Sequence, residues 1–189
     1  AGATMDRPLQ RGRRLVNQSA MAIGRRYWAA TLGVLAAGVA ILFVMGRTPI
    51  CTCGTIKLWE GVVNGPGNSQ HLSDWYSFSH MIHGMIFFGL GAWLLPRMPL
   101  GWRLVIATVL EMAWEIAENS PAVIDRYRAA TMAVGYSGDS ILNSMADGVT
   151  MTAGFMLALR LPWKVSVALC IAAELFTAYM VRDNLTLNV

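Results

Sequence analysis

Apolar residues fall in long uninterrupted blocks, separated by short polar segments. The block at residues 27–46, YWAATLGVLAAGVAILFVMG, carries no ionisable side chain except its tyrosine. Further blocks cover about residues 75–95, 100–118, 140–159 and 162–181. A helix needs about 20 apolar residues to cross a hydrocarbon core of about 30 Å, so each block is long enough for one crossing. The pattern predicts an all-α, polytopic transmembrane helix bundle with about five spans.

The segments between these blocks complete the predicted organisation. Prolines, which break or open helices, stand at several block boundaries: Pro96, Pro99, Pro121 and Pro162. We predict a basic amino-terminal segment at residues 1–26 and a single transmembrane domain at residues 27–189. The two long loops of that domain are expected at residues 47–74 and 119–139.

The composition supports a membrane protein and excludes other classes. Of 189 residues, 55% are hydrophobic and 14% are charged, and the mean hydropathy is +0.46. These values exclude an ordinary soluble domain, a disordered chain and a secreted module stapled by cysteines.

The distribution of arginine and lysine predicts the orientation of the spans. Short loops rich in these residues stay in the cytoplasm. Most of the 15 basic residues lie on one predicted side: Arg7, Arg11, Arg13, Arg14, Arg25, Arg26, Arg97, Arg103, Arg160 and Lys164. We therefore place the amino terminus in the cytoplasm and the 47–74 loop outside. The basic segment is expected to contact membrane lipids rather than nucleic acid, because no folded domain accompanies the charges.

Ionisable residues recur inside the predicted spans, although each costs about 2.5 to 3.5 kcal/mol to insert. Within each segment they stand three or four positions apart, which places them on one helical face. With the predicted orientation, all of them lie in the outer half of the bilayer. We expect them to meet in one cluster, whose candidate members are His80, His83, Glu111, Glu115, Glu118, Asp139, Asn143 and Asp147.

Three interpretations of this cluster remain open. Imidazoles with several carboxylates form a ligand set that suits a divalent metal such as zinc, iron or manganese. A hydrogen-bonded network that fixes helix packing needs no metal, and a proton path uses the same residue types. Asp74, Arg126, Arg128 and Glu174 are candidate supporting residues, with the two arginines expected to balance carboxylates.

The 47–74 loop carries Cys51-Thr52-Cys53 just outside the first span. Two cysteines at this spacing form a disulfide in an oxidising compartment, bind a soft metal, or remain two free thiols.

Several strings resemble an uncharacterised family of proteobacterial inner-membrane proteins, a domain of unknown function. They are MGRTPICTCG at 45–54, NSQHLSDWYSFSHMIHG at 68–84, WEIAENSPAVIDRYR at 114–128, GYSGDSILNSMADG at 135–148 and RDNLTLNV at 182–189. The resemblance implies a multi-pass protein of the bacterial inner membrane and carries no activity. It also implies a further apolar segment after the equivalent of Val189.

The chain also resembles, more distantly, VanZ-like membrane proteins. Their pattern of Asp and His, then an acidic pair three apart, then Asp-x-x-x-Asn is matched here by Asp74 with His80 or His83, Glu115 with Glu118, and Asp139 with Asn143. The chain departs from it at Asp147 and in the longer 119–138 loop. This likeness implies a site that faces the cell envelope.

Two functional hypotheses follow. The first is a membrane enzyme in which the cluster acts on an envelope lipid or lipid-linked substrate, through a metal or through acid/base catalysis. The second is a non-catalytic accessory or assembly subunit of a larger respiratory or photosynthetic complex. No complete catalytic motif decides between them.

Overall fold

The computed structural model describes residues 23–130 and 136–188. Most of the predicted basic amino-terminal segment, part of the predicted outer loop and Val189 lie outside the described residues. The described residues form α-helices joined by loops, with no β-strand, which confirms the all-α prediction. Their helices, numbered in chain order, are α1 Arg25–Val44, α2 Ser77–Leu94, α3 Leu100–Glu118, α4 Pro121–Ala130, α5 Ile141–Arg160, α6 Trp163–Val181 and α7 Leu185–Asn188.

Two of these helices are long and apolar enough to cross a membrane. The mean hydropathy is 2.0 in α1 and 1.6 in α6. The faces of α2, α3 and α5 instead carry buried histidine, glutamate, aspartate and asparagine, which lowers their average hydropathy. Apolarity alone therefore indicates membrane association through α1 and α6.

The closest helix packing is between α2 and α5. A Cβ atom added at Gly84 would overlap the carbonyl oxygen of Met151, and one at Gly154 would overlap that of Met81. Only glycine allows two helix backbones to approach this far. This contact holds the polar face of α2 against that of α5.

Apolar side chains fill the space on either side of the polar faces. One cluster joins α1, α3 and α5 through Leu35, Leu42, Met112 and Ile141. A second joins α3 and α5 through Leu104, Ala107, Met151 and Phe155. By contrast, α6 is peripheral, and only its Ser166 and Thr177 are buried.

The region interpreted from the sequence as the outer loop 119–139 contains a helix. Helix α4 begins at Pro121, and proline suits the first helical position because its missing N–H would have no intrahelical partner. Its Ile124 is buried, whereas most of its other side chains are exposed.

The loop after α1 packs on the amino-terminal end of α5. The N–H groups of Ile141 and Leu142 donate to the carbonyl oxygens of Thr48 and Pro49, at 2.9 and 3.1 Å. The first N–H groups of a helix have no intrahelical acceptor. These bonds satisfy two of them and fix the start of α5.

Candidate functional site

The carboxylate of Glu111 on α3 bridges the two histidines of α2. Its Oε1 lies 2.6 Å from Nδ1 of His80, and its Oε2 lies 3.0 Å from Nδ1 of His83. The histidines are three residues apart and therefore share one face of α2, opposite Glu111. The rings lie edge to face, with centroids 5.4 Å apart.

Two more carboxylates approach His80 from α3 and α5. Oε1 of Glu115 lies 3.5 Å from Nδ1 of His80, and Oδ2 of Asp147 lies 3.9 Å from its Nε2. The hydroxyl of Ser77 donates to Oδ1 of Asp147 at 3.2 Å. His80 is thus surrounded by carboxylates from two other helices.

These side chains form two sets of three potential metal ligands that share His80. One set adds His83 and Glu111, and the other adds Glu115 and Asp147. In each set, the ligand atoms lie within 4.8 Å of one another. Imidazole and carboxylate together suit zinc, iron and manganese.

The charges of this cluster do not balance within the protein. Glu111, Glu115 and Asp147 are buried, and within residues 23–130 and 136–188 their ion pairs are made with histidine only. Oε1 of Glu115 is buried and accepts no hydrogen bond. Buried anionic oxygens need a counter-charge, so the site requires bound protons or a cation.

Asp74 and Asp139 are two further buried carboxylates next to this cluster. Backbone N–H groups of Ser69 and Tyr76 donate to Asp74 at 3.0 and 2.8 Å. Asn119 donates to Oδ2 of Asp139 at 2.8 Å and accepts the Asp139 N–H at 2.7 Å. Burial raises the pKa of the Asp74 carboxyl and that of the Asp139 carboxyl.

Asn143 and Glu118 are not among the ligand sets. The amide of Asn143 donates to the carbonyl oxygen of His71 at 2.9 Å and so holds the loop between α1 and α2. Oε2 of Glu118 is buried and accepts no hydrogen bond.

The predicted supporting residues Arg126, Arg128 and Glu174 lie outside the cluster. Nε of Arg128 donates to the carbonyl oxygen of Tyr136 at 2.5 Å, and Arg126 is exposed. Glu174 accepts the N–H groups of Leu185 and Thr186, each at 3.1 Å, so it holds the chain that follows α6.

The sequence interpretation omitted Ser77, Asn119, Tyr136 and His71. Ser77 stands three residues before His80 and Asn119 four after Glu115, so helical spacing would have placed both on the polar faces. Tyr136, which donates to Asp139 at 2.7 Å, and His71 lie outside helices, where no such periodicity exists.

The loop after α1 contains a disulfide beside a group of charged residues. Cys51 and Cys53 are bonded, so of the alternatives left open above, the structure has the disulfide. Nearby, Nζ of Lys57 donates to Oε2 of Glu60 at 2.6 Å, and Nε2 of His71 lies 3.7 Å from the same oxygen. The hydrogen bond from Lys57 lowers the pKa of Glu60.

Comparison with known proteins defines the family. Residues 42–189 match a family described as a protein of unknown function (DUF2585). The chain belongs to this family. A relative from Rhizobium meliloti (strain 1021), a UPF0314 protein, is 62% identical over 160 residues, which cover 85% of this chain and 81% of the relative.

Relatives also occur in other proteobacteria. A UPF0314 protein of Sphingopyxis alaskensis is 56% identical over 167 residues, covering 88% of this chain and 89% of the relative. One from Paracoccus denitrificans is 51% identical over 164 residues, covering 86% and 84%. No solved structure matches the chain. The names of these relatives carry no activity, so function is inferred from the geometry of the site.

Proposed function

We propose that the protein crosses the bacterial inner membrane five times and binds a divalent metal ion between α2, α3 and α5. The spans would be α1, α2, α3, α5 and α6, with the amino terminus in the cytoplasm. The metal, zinc, iron or manganese, would be bound by His80, His83 and Glu111. Glu115 and Asp147 lie next to it as further ligands or as proton acceptors.

The observation that supports metal binding is the bridging position of Glu111 between two imidazoles. A tetrahedral zinc ion with bonds of about 2.0 to 2.2 Å separates its ligand atoms by roughly 3.3 Å. The 2.6 Å pair of His80 and Glu111 would therefore open by roughly 0.7 Å to admit the ion. A side-chain adjustment of this size leaves the helices where they are.

A divalent cation would balance the charge of the buried carboxylates around His80. Three carboxylates surround His80, and no arginine or lysine among the described residues forms an ion pair with them. A divalent ion supplies the missing positive charge and gives the unpaired Oε1 of Glu115 a partner.

The lengths and the side-chain distribution of α2, α3 and α5 support five spans rather than two. Helices α2, α3 and α5 are 18 to 20 residues long, which matches the hydrocarbon thickness. Their polar residues point at one another instead of outward, as intramembrane ionisable groups do. Their exposed faces are apolar, with Trp93, Leu110 and Val149 among the exposed side chains.

The exposed edge of His83 favours a lipid or lipid-linked substrate. His83 is the least buried of its ligands, with 13% of its side chain exposed. Its ring lies between Phe87 and Trp114, with centroids 5.7 and 6.1 Å away, and Trp114 is 40% exposed. A substrate that meets this edge would come from the bilayer, in agreement with the envelope-facing site implied by the VanZ-like resemblance.

The metal at this site would polarise a substrate oxygen or activate a bound water molecule. Glu115 is placed beside His80 to accept a proton in that step. Incubating the protein with envelope lipids and comparing the products with those of Glu111→Gln by mass spectrometry tests this part. Identical lipid profiles in the two samples would contradict a catalytic role.

Metal analysis of the purified protein tests the binding proposal. We expect about one equivalent of a transition metal in the wild type and at least a tenfold lower content in Glu111→Gln. Glu174→Gln is the matched control, because Glu174 binds backbone N–H groups near α7 and not the cluster; it should keep the metal. Negligible metal in the wild type, also after its addition to a chelated sample, would overturn the proposal.

A second candidate function is that of an accessory subunit in a larger membrane complex. It is favoured by α6, which buries only Ser166 and Thr177 against the rest of the chain. Isolation from native membranes in mild detergent should then yield stoichiometric partner subunits. Recovery of this chain alone would contradict the accessory role and leave the metal proposal intact.

A further inference from the structure

The disulfide between Cys51 and Cys53 has two sulfur atoms in different surroundings. Cys51 is 4% exposed, whereas Cys53 is exposed to solvent. An incoming thiolate must approach a disulfide sulfur directly, so access decides which sulfur it attacks. Only Cys53 is open to such an approach.

The buried sulfur is surrounded by groups that stabilise a thiolate. The backbone N–H of Cys53 donates to Sγ of Cys51 at 3.2 Å. A ring nitrogen of His71 lies within 4.8 Å of both sulfurs, and His71 is itself 1% exposed. A hydrogen-bond donor and an adjacent imidazole lower the free energy of a cysteine thiolate, which makes it a better leaving group.

We propose that Cys51 and Cys53 form a thiol–disulfide exchange site, in which Cys53 is attacked and Cys51 is the leaving group. The partner is a pair of cysteine thiols in an exported polypeptide. The location of the site on the outer face rests on the proposed topology, because the loop after α1 is placed outside by it. The exchange chemistry itself is independent of the metal proposal.

The reaction balances without a further reagent. A partner thiolate attacks Sγ of Cys53, the Cys51–Cys53 bond breaks, and the electron pair leaves on Sγ of Cys51, which takes up a proton. The second thiolate of the partner then attacks the mixed disulfide and releases Cys53. The partner dithiol loses two electrons and two protons, and the two cysteines of this protein gain them.

The third cysteine of the chain, Cys170, lies away from the disulfide. Cys170 lies in α6 and contacts Sδ of Met85 at 3.4 Å. Its replacement by serine therefore gives a background in which every reactive sulfur belongs to the loop. All variants of the test carry this replacement.

Trapping with oxidised and reduced glutathione tests the proposal in the full chain held in detergent. In Cys51→Ser, we expect Cys53 to form a mixed disulfide with glutathione. In Cys53→Ser, we expect the buried Cys51 to react at least tenfold more slowly. Acid quenching, alkylation and mass spectrometry identify each adduct. Equal rates in the two variants, or faster reaction at Cys51, would overturn the proposal.

The protein with both cysteines intact provides a measurement that does not depend on folding of these variants. Reduced glutathione should open its disulfide reversibly, and the first adduct should lie on Cys53. A disulfide that resists reduced glutathione until the protein is denatured would overturn the proposal.

Oxidation of a reduced dithiol peptide measures the complete transfer of the disulfide to a partner. His71→Gln tests whether the imidazole of His71 promotes this transfer. The protein with only the Cys170→Ser replacement should oxidise one equivalent of the peptide, and His71→Gln in the same background should do so about a hundredfold more slowly. Attack would remain at Cys53 in both proteins. No oxidation of the peptide would contradict the transfer, and an unchanged rate in His71→Gln would contradict the role of His71.

Discussion

The carboxylates of this protein lie in two kinds of environment, the loop after α1 and the interior of the helix bundle. In the loop after α1, Glu60 accepts a hydrogen bond from Nζ of Lys57 at 2.6 Å and one from the N–H of Val62 at 3.0 Å. In the bundle interior, Glu111 and Glu115 have histidine and no other cationic partner among the described residues. The loop carboxylate therefore contributes to stability as an ordinary ion pair, whereas the interior ones depend on what the site binds.

The loop pair predicts a dependence of stability on acid pH. The hydrogen bond from Lys57 lowers the pKa of Glu60 below 4.5, its ordinary value. The stabilisation is therefore present above pH 4.5 and is lost as the pH falls through the lowered pKa. The wild type should have a higher melting temperature than Glu60→Gln at pH 7, and this difference should decrease as the pH falls through the lowered pKa of Glu60.

Thermal unfolding in detergent at several pH values measures this effect. Asp125→Asn serves as the control, because Asp125 is exposed and its contact with Arg128 is 3.6 Å long; exposed pairs of this kind contribute little. A difference between wild type and Glu60→Gln that stays constant from pH 7 to pH 3 would contradict the role given to Glu60.

Among the helices, the pair α2 and α5 determines the geometry of the site. His80 and His83 stand on α2 and Asp147 on α5, and the two helices approach at Gly84 and Gly154. Any side chain at either glycine must push the helices apart. The distance between the imidazoles and Asp147 would increase with it.

Alanine substitution on α2 tests this contact with a control on the same helix. Gly84→Ala should lower the free energy of unfolding by about 1 to 3 kcal/mol, as overpacking does, and should also lower the metal content. Gly89 has no atom near its missing Cβ, so Gly89→Ala should leave stability unchanged or raise it by up to about 1 kcal/mol. Equal melting temperatures for the two variants would contradict the close packing of α2 on α5.

Most of the correct predictions about these helices came from helical periodicity, which indicates the side chains that share a face. A spacing of three or four residues predicts that His80 and His83 share a face, as do Glu111 and Glu115, and the structure has these faces in contact. Helix α4 was not predicted, because its ten residues are too short for a span and include three charged side chains, those of Asp125, Arg126 and Arg128.

Contacts that depend on a chain reversal could not be predicted. Glu174 was grouped with the cluster because it lies in an apolar span. In the structure, Arg182 adopts a left-handed conformation with φ of 58° and ends α6. The chain then turns back, so that the N–H groups of Leu185 and Thr186 reach Glu174. No regular spacing of residues in the sequence predicts such a turn.

At the scale of the whole molecule, the number of spans decides where the loops lie. With five spans, residues 65 and 183 lie outside and the turn at residue 97 lies inside. If α1 and α6 alone crossed the membrane, residues 65 and 97 would share one side. With the amino terminus in the cytoplasm, the two arrangements therefore place residues 97 and 183 on opposite sides of the membrane.

Reporter fusions distinguish these arrangements. Alkaline phosphatase should be active when fused at residues 65 and 183 and inactive at 97, and green fluorescent protein should give the opposite pattern. The same reporter response at residues 65 and 97 would contradict the five-span proposal.

The metal site is the central claim, and cobalt(II) absorption tests it most directly. Cobalt(II) replaces zinc, iron or manganese and shows visible bands that depend on its ligands. We predict bands typical of nitrogen and oxygen ligands, which weaken or shift in Glu111→Gln and His83→Gln and persist when Cys51 and Cys53 are replaced by serine. An absent spectrum, or one that is unchanged in Glu111→Gln and lost with the cysteines, would contradict the account.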